Sequence, residues 1–258
     1  MNYVEFGKIL LDTYDLDPLY VVLAQTSWKE STMFKFLLGY WTFYSAGVAC
    51  SLANTPSKNY YKYMRELDRV RAPRGHERRH MRGAIFQNTV KGYEDFGAPE
   101  KVVERMIMGD TFQCVSNSVQ HFKGYGPWIS WKIADMKERV LQIPVDFGDA
   151  EIGVYRDPVK GAALIHFGDQ KHPITTEEVH HVFEYMAPKF RQYKAPPYQD
   201  RPLNMQELET ICCKYKSYIN GHYPPGLDTK DIMEGLEGWG DLAEELSTYL
   251  EPLYNLWR

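Results

Sequence analysis

Residues 111–140 read TFQCVSNSVQHFKGYGPWISWKIADMKERV, two runs of helical character joined by Lys123-Gly124-Tyr125-Gly126-Pro127. The pattern predicts a helix from Thr111 to Phe122, a tight hairpin, and a second helix from Trp128 to Val140. Gly124 and Gly126 can take φ > 0 and let the backbone approach another molecule closely. The N–H groups that open the second helix can hold a DNA phosphate without reading a base. Many helix–helix turns carry glycine for geometry alone, so the hairpin by itself defines a shape and leaves its ligand open.

Two features extend this reading. Downstream, Ile143-Pro144-Val145-Asp146 places a carboxylate 22 residues after Gly124, beyond the second helix. Asp149 and Asp157 share the loop and compete with Asp146 for any catalytic role, while loop aspartates more commonly cap turns. Upstream, Arg71-Ala72-Pro73-Arg74-Gly75-His76-Glu77-Arg78-Arg79-His80-Met81-Arg82-Gly83 packs five arginines and two histidines into thirteen residues. A helical run through Phe86 and Val90 to Tyr93 follows, so the arginines are expected to crowd the first turns of a helix. Like charge is unfavourable at a helix N-terminus unless an anion is present. Forked guanidiniums with free backbone N–H groups suit a phosphate or pyrophosphate. The competing reading is a solvated basic face.

At 258 residues, 44% hydrophobic and 25% charged, the chain has the size and composition of a globular protein with a large core. A net charge of −4 argues against a nucleic-acid coat protein but leaves room for a local basic patch. The 19 tyrosines, 12 phenylalanines and 6 tryptophans exceed what packing requires, and exposed ones could stack on bases. Cys50, Cys114, Cys212 and Cys213 lack zinc or iron–sulfur spacing, so free thiols in a reducing cytoplasm are expected. No run approaches the ~18 apolar residues of a membrane span, and no targeting segment is read at the N-terminus. His166, His172, His180 and His181 lack metal-site spacing, so no metal ligands are assigned.

The rest of the chain reads as helices. Residues 2–12 and a segment from Pro18 form two short ones. Lys29 to Ser51 is expected as one long buried helix, with Ser45, Ala46, Gly47 and Ala49 allowing close approach. Tyr60–Val70 and a helix starting at Gly97-Ala98-Pro99 flank the arginine segment and its helix. Pro144 to Gly161 is expected to be irregular, and Ala162–Phe167 a short strand or buried helix turn. Thr175 or Thr176 and Asn204 are read as caps, and two helices close the chain. The fold class is therefore mainly α. Residues 1–194 are expected to form the core domain, and 195–258 a C-terminal helical extension packed on it.

Hairpin and trailing carboxylate resemble the helix-hairpin-helix DNA glycosylases, which implies a glycosylase-like helical fold. A narrower resemblance rests on order. The arginine stretch, Gly124-Tyr125-Gly126-Pro127, Arg156-Asp157-Pro158-Val159-Lys160-Gly161, Glu209-Thr210-Ile211-Cys212-Cys213-Lys214-Tyr215-Lys216 and Gly221-His222-Tyr223-Pro224-Pro225-Gly226 resemble the amino acid:DNA transferases. These phage enzymes of thymine hypermodification are also called α-glutamyl/putrescinyl-thymine pyrophosphorylases. The resemblance covers roughly residues 35 to 235. The family often has Gly-Pro-Gly where this chain has Arg156-Asp157-Pro158, which leaves that loop's role open.

The resemblance implies that pyrophosphate on a DNA 5-hydroxymethyluracil is displaced by an amine. The implied partners are double-stranded phage DNA carrying the modified thymine and a free amino acid, glycine first, in the host cytoplasm. Arg74, Arg78, Arg79 and Arg82 would stabilise the leaving pyrophosphate, with His76 or His80 as proton donor. Asp146 or Asp149 would serve as base. Lys123, Gly124, Tyr125, Gly126 and Trp128 would meet DNA, with Tyr125 or Trp128 filling the gap of a flipped base. Lys214 and Lys216 would hold DNA backbone or the amino acid carboxylate. No cofactor is assigned, apart from Mg²⁺ that could accompany the pyrophosphate. The alternatives are a DNA N-glycosylase and a non-catalytic DNA-binding helical module, the latter with plain salt-dependent affinity.

Overall fold

The structure is a computed structural model that describes residues 1–152 and 155–258; Gly153 and Val154, inside the segment expected to be irregular, lie outside the described residues. Its described residues form fourteen α-helices and no sheet, so the fold is mainly α. In chain order they are α1 Tyr3–Asp12, α2 Pro18–Leu23, α3 Glu30–Phe43, α4 Ala46–Asn54, α5 Tyr60–Arg69, α6 Gly83–Phe96 and α7 Pro99–Met106. There follow α8 Phe112–Gln120, α9 Pro127–Arg139, α10 Arg156–Phe167, α11 Thr176–Met186, α12 Met205–Ile219, α13 Leu227–Leu236 and α14 Asp241–Tyr254. No helix is long and apolar enough to cross a membrane.

Two compact units interleave along the chain. One comprises residues 1–24, 147–231 and 252–258, and the other residues 25–146 and 232–251. This grouping has no boundary at residues 194/195, where the sequence placed one. The physical reason is α12: it packs on α1 and α10, so the supposed extension supplies part of the first unit's core. Gly161 of α10 faces the α12 backbone, where a Cβ would overlap the Cys212 carbonyl. Phe6, Leu10, Val182, Met186, Leu208 and Ile211 fill the space around them.

The second unit carries the hairpin and the arginines. α3 packs on α4 and α7, and α8 packs on α9. Phe36, Leu37, Leu38, Trp41, Phe43, Val48 and Leu52 are fully buried, as their density in the sequence requires. The long helix expected over Lys29–Ser51 is instead two helices. Tyr44 takes the left-handed conformation (φ 53, ψ 44) and ends α3, and Ser45 opens α4. A second difference is α10, which begins at Arg156, inside the stretch expected to be irregular; of the two readings for Ala162–Phe167, strand or buried helix turn, the helical one holds. Pro158 sits in its first turn, where a missing N–H breaks no helical bond.

Candidate functional site

The local sequence dictates the hairpin's geometry. Thr111 caps α8 by accepting from the Cys114 N–H, and Pro127 opens α9 after Gly126. Gly124 has φ 81, a conformation that disfavours any side chain. A Cβ there would also meet Met81 Sδ at 2.5 Å and Thr89 Oγ1 at 3.2 Å. The glycine is therefore required by packing against the arginine segment and α6, whereas Gly126 has open space where a Cβ would stand.

The structure thus joins the two motifs that the sequence keeps 40 residues apart. Arg78 Nη1 donates to the Gly124 carbonyl at 3.0 Å, and its guanidinium lies 4.5 Å from the Tyr125 ring centroid. His80 Nε2 is 3.5 Å from the same carbonyl oxygen, and Thr89 Oγ1 donates to the Lys123 carbonyl at 2.7 Å. Tyr125 itself is buried. Its hydroxyl takes the Tyr93 hydroxyl hydrogen bond at 2.6 Å and lies 3.1 Å from Thr42 Oγ1. Tyr125 is therefore a core anchor of the hairpin, and the expectation that it meets DNA is corrected. Trp128 remains partly exposed, with its ring edge-to-face against Tyr44 at 5.1 Å.

The four arginines separate by environment. They do not crowd the first turns of α6: a short 3-10 turn holds His76–Arg78, and Arg82 is the N-cap of α6. Arg74 is structural, with its side chain 1% exposed. It donates to Asp68 and the Met81 carbonyl and lies against the Phe43 and Phe86 rings at 4.4 and 4.7 Å. Burial pushes its guanidinium down to about 10, with Asp68 opposing and Arg82 and Arg78 adding repulsion; it is still a cation at neutral pH. Arg78 is 1% exposed, and its Nε and Nη2 have no hydrogen-bond partner. Burying a cation costs several kcal/mol; a carbonyl bond and a cation–π contact of ~2 kcal/mol offset only part of that. Arg79 and Arg82 are exposed, Arg79 donating to the His76 carbonyl at 2.8 Å, and His76, His80 and Lys123 are exposed too.

The carboxylates divide between the units. Asp146 is exposed at the end of the hairpin's unit. Its backbone is fixed by bonds from its N–H to the Asp110 carbonyl and from Phe112 N–H to its own carbonyl, at 2.7 and 2.8 Å. Asp149, also exposed, belongs to the other unit. Asp157 is engaged with Lys216 Nζ at 2.8 Å. Lys214 is buried, donating to the Asp15 and Leu16 carbonyls at 2.6 and 2.7 Å and pairing with Asp228 at 2.6 Å. Lys214 is thus committed to intramolecular partners, and Lys216 pairs with a half-exposed Asp157. Asp15 and Tyr44 had no signal in the sequence that set them apart. Among the described residues no group of three or more His, Cys, Asp and Glu side chains is placed to hold a metal ion.

The hairpin thus bears a partly exposed Trp128 and an exposed Lys123 and is backed by the buried Arg78 guanidinium. Residues 8–223 match the family model described as amino acid:DNA transferase, and the chain belongs to that family of enzymes. Two curated phage proteins are similar to it. The glycinyltransferase of Pseudomonas phage PaMx11 is 35% identical over 98% of this chain and 96% of its own length. The putrescinyltransferase of Delftia phage PhiW-14 is 26% identical over 98% of this chain and 83% of its own.

Proposed function

We propose that this transferase couples the amine of glycine to the exocyclic CH2 of a pyrophosphorylated 5-hydroxymethyluracil in double-stranded phage DNA, in the host cytoplasm. The amine nitrogen attacks the CH2 carbon, the C–O bond breaks, and its electron pair leaves on pyrophosphate. The proton lost from nitrogen goes to a carboxylate, Asp146 in the hairpin's unit or Asp149 in the other. Glycine is favoured because the glycinyltransferase relative is similar over nearly its whole length.

The observation that carries the anion part is Arg78, a buried guanidinium with two unpartnered nitrogens at the hairpin. Preorganised cations are worth most where charge develops away from water. Arg79 and Arg82 complete the pyrophosphate set, His76 or His80 donates a proton to the leaving group, and Lys123, Gly126 and Trp128 meet the DNA. Mg²⁺ belongs to this scheme only as a companion of the pyrophosphate oxygens.

The test is to incubate the protein with DNA bearing pyrophosphorylated hydroxymethyluracil and a panel of amines, then identify nucleosides by mass spectrometry. A glycine adduct with released pyrophosphate is expected. An unchanged base with every amine would sink the proposal, and abasic sites would point to a glycosylase. Arg78→Ala should reduce turnover by at least ~100-fold, the usual loss for one preorganised charge donor.

A further inference from the structure

We infer that Tyr44 and Trp128 form an aromatic corner that takes the face of the extruded pyrimidine, with Tyr44 a specificity-determining residue. This rests on the DNA-modifying reading above and adds a residue that no sequence motif marks. The rings meet edge to face (5.1 Å, 67°), and both residues are partly exposed. Tyr40 extends the row, its ring 4.7 Å from that of Tyr44.

The corner is held in place from two sides. Trp128 stands in the first turn of α9, directly after the hairpin. Tyr44 adjoins the start of the arginine segment: Gly75 N–H donates to the Phe43 carbonyl at 3.0 Å, and a Cβ on residue 75 would lie 2.7 Å from the Tyr44 carbonyl oxygen. The corner therefore adjoins Gly75, in a segment whose His76, Arg79, His80 and Arg82 are exposed. Stacking surface beside cations fits a nucleotide, whose base is a flat apolar ring and whose phosphates are anions.

Backbone conformation gives an independent argument. Tyr44 has φ 53, where a β-carbon is penalised and glycine is preferred. Among the described residues five non-glycine residues have positive φ, Tyr44 among them. A large ring carried where glycine would be more comfortable is held by its contacts with Tyr40 and Trp128, which fix the geometry of the corner.

Tyr44→Gly suits the backbone while deleting the ring, so it separates stacking from folding. Affinities would be measured for two duplexes, one with 5-hydroxymethyluracil and one with a tetrahydrofuran abasic analogue at that position. The protein is expected to prefer the base-containing duplex by about tenfold, the worth of roughly one stacked base. Tyr44→Gly and Trp128→Ala should lose that preference, and Tyr44→Phe should keep it. Preference retained in Tyr44→Gly would overturn the assignment. Tight but equal binding of both duplexes by the unaltered protein would overturn the corner alone. Binding of neither would remove the DNA reading as well.

Discussion

Asp15 is a buried carboxylate whose two oxygens accept four hydrogen bonds: from Gly226 N–H and Tyr223 Oη on one, and from Thr229 N–H and Oγ1 on the other. Burial, with Asp228 and Asp15 nearby, holds the Tyr223 phenol well above its ordinary range, so it stays a neutral donor. The loop Gly221–Gly226 is thus organised by a residue some two hundred positions away. Asp15→Ala strands these donors, and is expected to cost at least ~3 kcal/mol in urea unfolding. A change below 1 kcal/mol would show that water replaces the carboxylate. At the surface, the Arg65 hydrogen bonds hold the Glu94 carboxyl below its ordinary 4.5, with burial opposing and charge attraction adding. As pH falls the unfolded chain takes up this proton first. The pair's contribution is therefore full above about pH 4.5 and is lost as pH drops through the lower folded value. Glu94→Gln should flatten that acid limb of a stability–pH profile by less than ~1 kcal/mol, given its exposure. The same scale explains which site residues were legible. Residue types alone raised the expectation of an anion site. Which arginine is packed against Phe43 and Phe86 and which is buried without a carboxylate depends on residues distant in sequence, as does the capture of Lys214 by the Asp15 and Leu16 carbonyls.

Among elements, α8, the hairpin and α9 were readable because threonine caps, glycine and proline are local signals with local causes. The α3/α4 break was not, since no glycine or proline marks Tyr44, and tertiary contacts impose its left-handed turn. Proline misled in the opposite direction at α10, where Pro158 marks a helix's first turn and not a loop. The hairpin makes a sharp prediction of its own. Gly124→Ala adds a methyl at φ 81, against Met81 and Thr89. It is expected to cost ~2 kcal/mol or more in thermal unfolding and to weaken DNA binding by displacing the Arg78 partner. Gly126→Ala, facing open space, should cost less than ~1 kcal/mol. Equal effects of the two would mean that the hairpin is not fixed by its contact with the arginine segment.

For the whole molecule, helical class follows from periodicity, while unit membership does not, because helices of one unit are separated by more than a hundred residues of the other. A fragment ending at residue 194 lacks α12, and α1 and α10 lose the surface they pack on. It should melt without a cooperative transition when followed by circular dichroism, and a sharp, native-like melt would restore the 194/195 division. The interleaving also bears on synthesis. Residues 232–251 belong to one unit and 252–258 to the other. The contacts that residues 232–251 add to one unit and 252–258 to the other are therefore made last, and long-range closure of this kind is slow. Late completion of both units is the consequence for a chain that passes between its two units four times.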